Sequence, residues 1–208
     1  MGKTFNLEIN TTKKCNMNCT YCFEKETIKK ANIEEKKSII QPEEVIKFLE
    51  NNIDYLGDNY TNLNVSLWGG EPTLNMDGLS SIILILKIQI ELFKKEGKLP
   101  KKFELIFRIF TNGKNSENLI RLINLINSYN LKLEIQISYD GIESQRGSNK
   151  LNEFIRDTII IIDDYIKDMN NISLDLKSTL LLDDDFYDKY MEFIKLNKIL
   201  NSKIQFNP

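Results

Sequence analysis

Short apolar, strand-like runs alternate with longer helical patterns along most of the chain, and this alternation constrains the fold more than any other feature of the sequence. Such alternation is typical of βαβ units, in which a helix connects two parallel strands. Several runs are apolar at consecutive positions, as expected of parallel strands buried on both faces. The sequence therefore predicts an α/β fold with a mainly parallel sheet, formed by one domain over residues 1–208.

Strands and helices can be assigned along the whole chain from these runs. The predicted strands are Asn6 to Asn10, Asn64 to Trp68, Leu105 to Phe110, Leu133 to Ser138, Ile172 to Thr179 and Lys203 to Phe206. One helix is predicted to begin at Gln41-Pro42-Glu43-Glu44, since an early proline and two acidic side chains favour a helix start. Further helices are predicted near residues 79–95, 115–129, 150–167 and 184–199. In such folds the strand-to-helix loops meet at the carboxyl ends of the strands, where we expect the active site.

Charge and hydropathy exclude several classes of partner. The formal net charge of −2 provides no broad basic field for a phosphate backbone, so we expect no nucleic-acid partner. The most apolar run, Leu79 to Phe93, contains Lys87, Gln89 and Glu91 and is shorter than the roughly 20 apolar residues of a membrane span. It predicts a buried helix and no membrane partner. No apolar segment with a small-residue cleavage site follows Met1, so we expect a cytoplasmic protein.

The three cysteines, Cys15, Cys19 and Cys22, form a C-x3-C-x2-C pattern directly after the first predicted strand. An odd number of closely spaced cysteines suits a metal better than a disulfide framework. Iron-sulfur clusters normally take four protein ligands, whereas this chain has no further cysteine and no histidine. One coordination position would then be completed by another group, and an open position is a catalytic feature. A three-cysteine zinc site or a chance group of buried thiols is the alternative interpretation.

This loop resembles that of the radical S-adenosylmethionine superfamily, whose fold is a partial (β/α)6, TIM-like barrel. The resemblance implies that Cys15, Cys19 and Cys22 hold one [4Fe-4S] cluster that cleaves S-adenosylmethionine reductively. Further along, Trp68-Gly69-Gly70-Glu71-Pro72 resembles the family segment that binds the methionine amino group. Two glycines let the backbone approach a ligand closely, their carbonyls can accept from an ammonium group, and Glu71 can offset its charge. A simple turn is the alternative.

Two more segments resemble family motifs at strand ends, namely Phe110-Thr111-Asn112-Gly113 and Ser138-Tyr139-Asp140-Gly141. By this resemblance Ser138 contacts the ribose region, while Asn112 and Asp140 shape the site or anchor its loops. Tyr21 matches an aromatic position beside the adenine. The alternatives are that Asn112 and Asp140 are only turn residues and that Tyr21 is a packed loop anchor.

The combination of motifs looks most like the sulfatase-maturase and peptide-modifying branch of the superfamily. That resemblance implies a peptide or protein substrate, and a flavodoxin or ferredoxin as electron donor. The branch usually carries a cysteine-rich extension, whereas no cysteine follows Cys22, so we expect no auxiliary cluster in this chain. Arg146 and Lys150 lie near the places where the branch often has histidine and arginine. The last predicted strand lacks a following helix, so one edge of the sheet would need another cover.

Three other functions stay open from the sequence. A glycyl-radical activating enzyme also has three cysteines and a Gly-Gly-Glu segment, and a radical enzyme acting on a nucleotide or another small molecule is possible. A non-catalytic recognition subunit of a peptide-modifying complex is a third alternative. The stretch Glu24 to Lys37, dense in Lys and Glu, is predicted to be a solvated loop, with a lid over the site as the functional alternative.

Overall fold

Within the described part of the chain, five parallel strands form one sheet at the centre of the fold. The computed structural model describes residues 2–33, 42–144, 146–179 and 186–201. The strands are β1 (Thr4–Thr12), β2 (Asn62–Gly69), β3 (Glu104–Thr111), β4 (Lys132–Ser138) and β5 (Ile172–Lys177). The helices are α1 (Lys25–Ile33), α2 (Pro42–Asn59), α3 (Met76–Lys95), α4 (Ser116–Ser128), α5 (Asn149–Ile166) and α6 (Phe186–Ile199).

The order of the strands in the sheet is the order along the chain, and every neighbouring pair is parallel. Connections between parallel strands are right-handed in nearly all proteins, so this order places the connecting helices on one side of the sheet. The packing of α2 on α3, of α3 on α4 and of α4 on α5 agrees with that arrangement. The predicted α/β class, the parallel sheet and the partial, unclosed barrel are confirmed. The predicted strand Lys203 to Phe206 lies outside the described residues.

The hydrophobic core lies between the helices and one face of the sheet. In β2, for example, Leu63, Val65 and Leu67 are fully buried and point toward the helices. The positions between them are polar or partly exposed, and the same alternation occurs in β3, β4 and β5. The expectation that several strands are apolar on both faces is therefore wrong, because the helices cover only one face.

Helix α1 occupies most of the stretch that the sequence analysis assigned to a solvated loop. Its Ile28 and Ala31 lie three residues apart on one side of the helix and are buried. On the exposed side, Lys29 forms an ion pair with Glu26 at 3.2 Å. The high density of charge concealed this narrow apolar side in the sequence. The end of the stretch, residues 34–37, lies outside the described residues, and the lid stays a prediction.

Helix α3 is the buried helix predicted from the most apolar run. It begins at Met76, three residues before the predicted start, because the Asn75 side chain accepts a hydrogen bond from Gly78 N at 3.2 Å and caps the first turn. Seven of its side chains are buried. Within the described residues, no helix combines the length and the apolar character needed to cross a membrane.

Replacing a buried aromatic ring in the central strand should destabilise the fold strongly. Phe107 is 0% exposed in β3, so Phe107→Ala should lower the free energy of unfolding by about 3–5 kcal/mol, since the lost burial is accompanied by a cavity. The matched control is Ile88→Ala on α3, where the side chain is 60% exposed and the change should stay within about 0.5 kcal/mol. Urea unfolding of both variants measures the difference, and equal losses would contradict the assigned core.

Candidate active site

A cavity of about 590 Å³ opens at the carboxyl ends of the strands, where the sequence predicted the active site. Eight of the ten predicted site residues line it. They are Cys15, Cys19, Cys22, Tyr21, Gly69, Gly70, Asn112 and Ser138. Glu71 and Asp140, the other two, are buried beneath it. The cavity therefore brings the cysteine loop together with the ends of β2, β3 and β4.

The cysteine loop connects β1 to α1 and is fastened to the loop after β3. Asn112 Nδ2 donates to Asn16 Oδ1 at 2.9 Å and approaches Cys15 Sγ at 3.8 Å. Lys114 Nζ donates to the Asn16 carbonyl at 3.0 Å. Asn112 is thus positioned by its contacts to hold the loop that carries the thiols.

The three cysteines form no disulfide, and their thiols are half-buried on the wall of this cavity. Burial raises the pKa of the Cys15 and Cys19 thiols, and at Cys19 the nearby Arg146 guanidinium partly opposes this effect. Both thiols are therefore protonated at neutral pH, and a metal that binds them must displace protons. Within the described residues, no three His, Cys, Asp or Glu side chains converge closely enough to hold a single metal ion.

Gly69 and Gly70 lie tightly against the backbone that leads to the cysteines. Gly69 has a φ of +141°, and a Cβ there would be 2.1 Å from the Thr12 carbonyl oxygen. A Cβ on Gly70 would be 2.3 Å from the Lys14 carbonyl oxygen. Gly70 N donates to Thr12 O at 2.9 Å. The chain's own packing therefore requires glycine at both positions. The sequence alone had suggested that the glycines make room for a ligand.

Glu71 has a carboxylate that is 0% exposed and accepts four hydrogen bonds from the protein. The donors are Thr73 N at 3.1 Å, Thr73 Oγ1 at 2.6 Å, Thr111 Oγ1 at 2.8 Å and Asn112 N at 2.7 Å. The carboxylate joins the end of β2 to the end of β3, and it is not part of the cavity wall. Its contact with an ammonium group stays a prediction.

Asp140 lies at the centre of a second buried network, which connects three loops. It is 3% exposed and accepts from Thr179 N at 2.7 Å, after β5. The Tyr21 hydroxyl from the cysteine loop donates to its other oxygen, which also pairs with Arg146 at 3.4 Å. Arg146 in turn donates to the Tyr21 hydroxyl at 3.0 Å. Arg146 lines the cavity, whereas Lys150 is exposed on α5 and does not.

The sequence analysis missed other side chains of the cavity wall. They include Glu8, Met17, Phe23, Trp68, Phe110, Lys177 and Thr179. The strand residues among them occupy the positions between the buried residues of β1, β2, β3 and β5. The period-two alternation of each strand would have identified them once the helix-covered face was known.

Neutralising Glu71 should destabilise the site without changing its shape. In Glu71→Gln one carboxylate oxygen becomes an amide NH₂ that faces hydrogen-bond donors, so the free energy of unfolding should fall by about 1–3 kcal/mol. The matched control, Glu50→Gln, changes an exposed side chain on α2. Urea unfolding of the two variants provides the comparison, and equal stabilities would show that the four donors do not need the charge.

Removing Asp140 should leave the Arg146 guanidinium buried without its carboxylate. Asp140→Ala should therefore cost about 3–5 kcal/mol of unfolding free energy. The double variant Asp140→Ala/Arg146→Met should recover part of this loss, because it removes the unpaired charge and keeps an apolar stem. Thermal or urea unfolding measures both. No recovery would assign the effect to the lost hydrogen bonds from Thr179 and Tyr21 and not to the unpaired Arg146 charge.

Comparison with known proteins identifies the family. The sequence profile of the Radical SAM superfamily matches residues 9–167. The radical SAM cyclopropyl synthase TigE of Paramaledivibacter caminithermalis is 27% identical over 177 residues, which are 79% of this chain and 33% of TigE. The chain thus spans about a third of that relative's length.

Solved structures share the fold. The structure described as native anSMEcpe with bound AdoMet matches with a TM-score of 0.61 and 16% identity, over 98% of this chain and 52% of the other. The same protein with bound AdoMet and Kp18Cys peptide gives a TM-score of 0.62 and 16% identity, over 98% and 51%. Because the family profile covers most of the sequence, the chain belongs to the radical SAM superfamily, whose enzymes use a [4Fe-4S] cluster and S-adenosylmethionine.

Proposed function

We propose that this enzyme holds a [4Fe-4S] cluster on Cys15, Cys19 and Cys22 and abstracts hydrogen from a peptide or protein substrate. The observation that carries the proposal is the presence of three thiols, none of them in a disulfide, on the wall of one cavity at the carboxyl ends of the strands. The bound cluster would supply an electron to S-adenosylmethionine, which then gives methionine and a 5′-deoxyadenosyl radical. The chain itself must bind, orient and shield the reacting groups.

The chemistry of the three thiols fits such a cluster. Each thiolate of a cluster binds a different iron, so the sulfur atoms need not converge on one point. A single zinc ion would need convergence, which no set of described residues provides. This difference favours the cluster over the three-cysteine zinc site. Asn112, 3.8 Å from Cys15 Sγ, would donate toward that thiolate and favour its charged form.

Residues on the remaining walls would hold S-adenosylmethionine. The carbonyl groups of the Gly69-Gly70 segment would accept from an ammonium group, and Ser138 at the end of β4 would contact the ribose; all three residues line the cavity. The hydroxyl of Tyr21 is engaged by Asp140 and Arg146, which fixes the ring. A fixed ring on the cavity wall suits stacking against adenine. Glu71 and Asp140 would act from beneath, by positioning these loops.

A peptide or protein substrate is supported by two observations. The motif combination resembles the peptide-modifying branch, and the fold is shared with a protein whose structure contains a Kp18Cys peptide. The sheet face away from the helices carries many polar side chains, and it is continuous with the cavity through Glu8, Ser138 and Lys177, so it could accept a peptide chain. Flavodoxin or ferredoxin is the electron donor expected in the cytoplasm.

Replacing one cluster ligand should abolish cleavage of the cofactor. After anaerobic reconstitution with iron and sulfide, reduction with dithionite and addition of S-adenosylmethionine, the native chain should form 5′-deoxyadenosine. Cys19→Ala should lower the rate of deoxyadenosine formation by more than about 100-fold. A loss of about 100-fold is the most expected when only an outer-sphere partner of a metal site is removed. Asn18→Ala, an exposed neighbour in the same loop, is the matched control.

The outcomes separate the proposal from its rivals. A chain that carries four irons and four sulfides and yet forms no deoxyadenosine would favour a non-catalytic recognition subunit. If cleavage occurs, deuterium transfer into deoxyadenosine from labelled candidate substrates distinguishes a peptide from a small molecule or a glycyl-radical protein. Transfer from a nucleotide, and from no peptide, would contradict the proposed substrate class.

A further inference from the structure

The face of the sheet that points away from the helices carries a pattern of charge. We call it the open face and define it by the strand positions that alternate with the core positions. Its charged side chains are Glu8, Glu104, Arg108, Lys132, Glu134, Asp175 and Lys177. Charged residues on a strand face must find a partner, water or a ligand.

The charges of the central strands are satisfied within the sheet. Arg108 Nε donates to Glu134 Oε2 at 2.7 Å, and these two residues are directly opposite in the register of β3 and β4. Lys132 Nζ donates to both oxygens of Glu104 at 2.9 Å. Cross-strand pairs of this kind stabilise a sheet and leave no net charge between β3 and β4.

The first and last strands of the described sheet, β1 and β5, differ from the strands between them. Glu8 of β1 and Lys177 of β5 form no ion pair with any of the described residues, and both line the cavity that contains the cysteines. Asp175, the other charge of β5 on this face, accepts from Gln136 Nε2 at 3.4 Å and from Leu176 N at 2.9 Å, and it does not line the cavity. Glu24 of the cysteine loop also lines the cavity. Glu8 and Lys177 therefore place a negative and a positive side chain on opposite sides of the same space. Lys177 is opposite Ser138 in the register, at the end where the cofactor would bind.

The separation of these two charges favours an extended substrate over a small one. When the paired residues are followed from strand to strand, Glu8 of β1 lies level with Ser173 of β5, which is four residues before Lys177. With strands ~4.8 Å apart and ~3.3 Å per residue, the Cα atoms are on the order of 20 Å apart. An extended peptide advances ~3.4 Å per residue, so about six residues span this distance.

We propose that Glu8 and Lys177 select the substrate: an extended peptide segment lies across the open face, with an acidic side chain at Lys177 and a basic side chain about five residues away at Glu8. The inference rests on the proposed function and names the peptide it accepts. The paired central strands supply a polar surface without net charge, so specificity comes from the two edges. Because Lys177 lies near Ser138, the acidic end of the segment is held closest to the cofactor.

Calorimetry with blocked hexapeptides tests the selection directly. The reconstituted chain, with S-adenosylmethionine and without reductant, is titrated with acetyl-Asp-Gly-Ser-Ala-Gly-Lys-amide. Its neutral isostere carries Asn and Gln in place of Asp and Lys, and a third peptide carries Asp and Lys side by side. We expect the first peptide to bind at least about tenfold more tightly than the other two, because only it reaches both charges.

A single charge reversal should switch the preference. Lys177→Glu makes both edges acidic, so this variant should prefer acetyl-Lys-Gly-Ser-Ala-Gly-Lys-amide and lose affinity for the Asp/Lys peptide by about tenfold or more. Glu8→Lys should prefer the peptide with two Asp residues. The matched control, Lys195→Glu, changes an exposed lysine on α6 and should retain the native preference.

Several results would overturn the inference. One is equal binding of all three peptides by the native chain, and another is a charge reversal that leaves the preference unchanged. A third is a loss of affinity for S-adenosylmethionine in Lys177→Glu without a switch in peptide preference, which would assign Lys177 to the cofactor. In each case deoxyadenosine formation by the native chain is measured separately, so the radical chemistry can stand while the substrate selection fails.

Discussion

The buried carboxylate of Glu71 is the interaction on which the site depends. Its four hydrogen bonds join the end of β2 to the end of β3 through Thr73, Thr111 and the backbone of Asn112. Once Asn112 is fixed in this way, its side chain reaches Asn16 and Cys15 of the cysteine loop. A buried charge with several donors is tolerated because each lost water contact is replaced. The position of the first thiol therefore follows from a residue that does not line the cavity.

On the opposite wall of the cavity, a second buried carboxylate holds the loops together. Asp140 accepts hydrogen bonds from the Tyr21 hydroxyl and from the backbone after β5, and it pairs with Arg146. One carboxylate thus fixes the far side of the cysteine loop. Between the two carboxylates the thiols are half-buried, and burial holds the pKa of Cys15 and Cys19 above the ordinary value. The loop is thus rigid on both sides, while the thiols themselves favour the neutral form until metal replaces their protons.

The fold and the meeting of most candidate site residues in one cavity could be predicted from the sequence because their determinants are local. Period and chain order specify the strands and helices, and eight of the ten predicted residues meet in one cavity because parallel strands end at one edge. What could not be predicted depends on tertiary packing. The glycines of Gly69-Gly70 accommodate the chain's own carbonyls, and Glu71 turns inward to backbone donors. The motif itself indicates neither what the two glycines contact nor where the Glu71 side chain points.

The open face could not be predicted from the sequence, because it too depends on tertiary packing. A strand's two faces are equivalent in the sequence until it is known which one the helices cover, and the apolar runs suggested burial on both. Since strand order follows chain order, the helices α2, α3, α4 and α5 pack on one side of the sheet, and most side chains on the other side are polar. The charges of β3 and β4 on this face neutralise one another, because Arg108 pairs with Glu134 and Lys132 pairs with Glu104. Among the described strands, β1 and β5 each pair with one neighbour, and their side chains Glu8 and Lys177 face the cavity without an ion pair to a described residue.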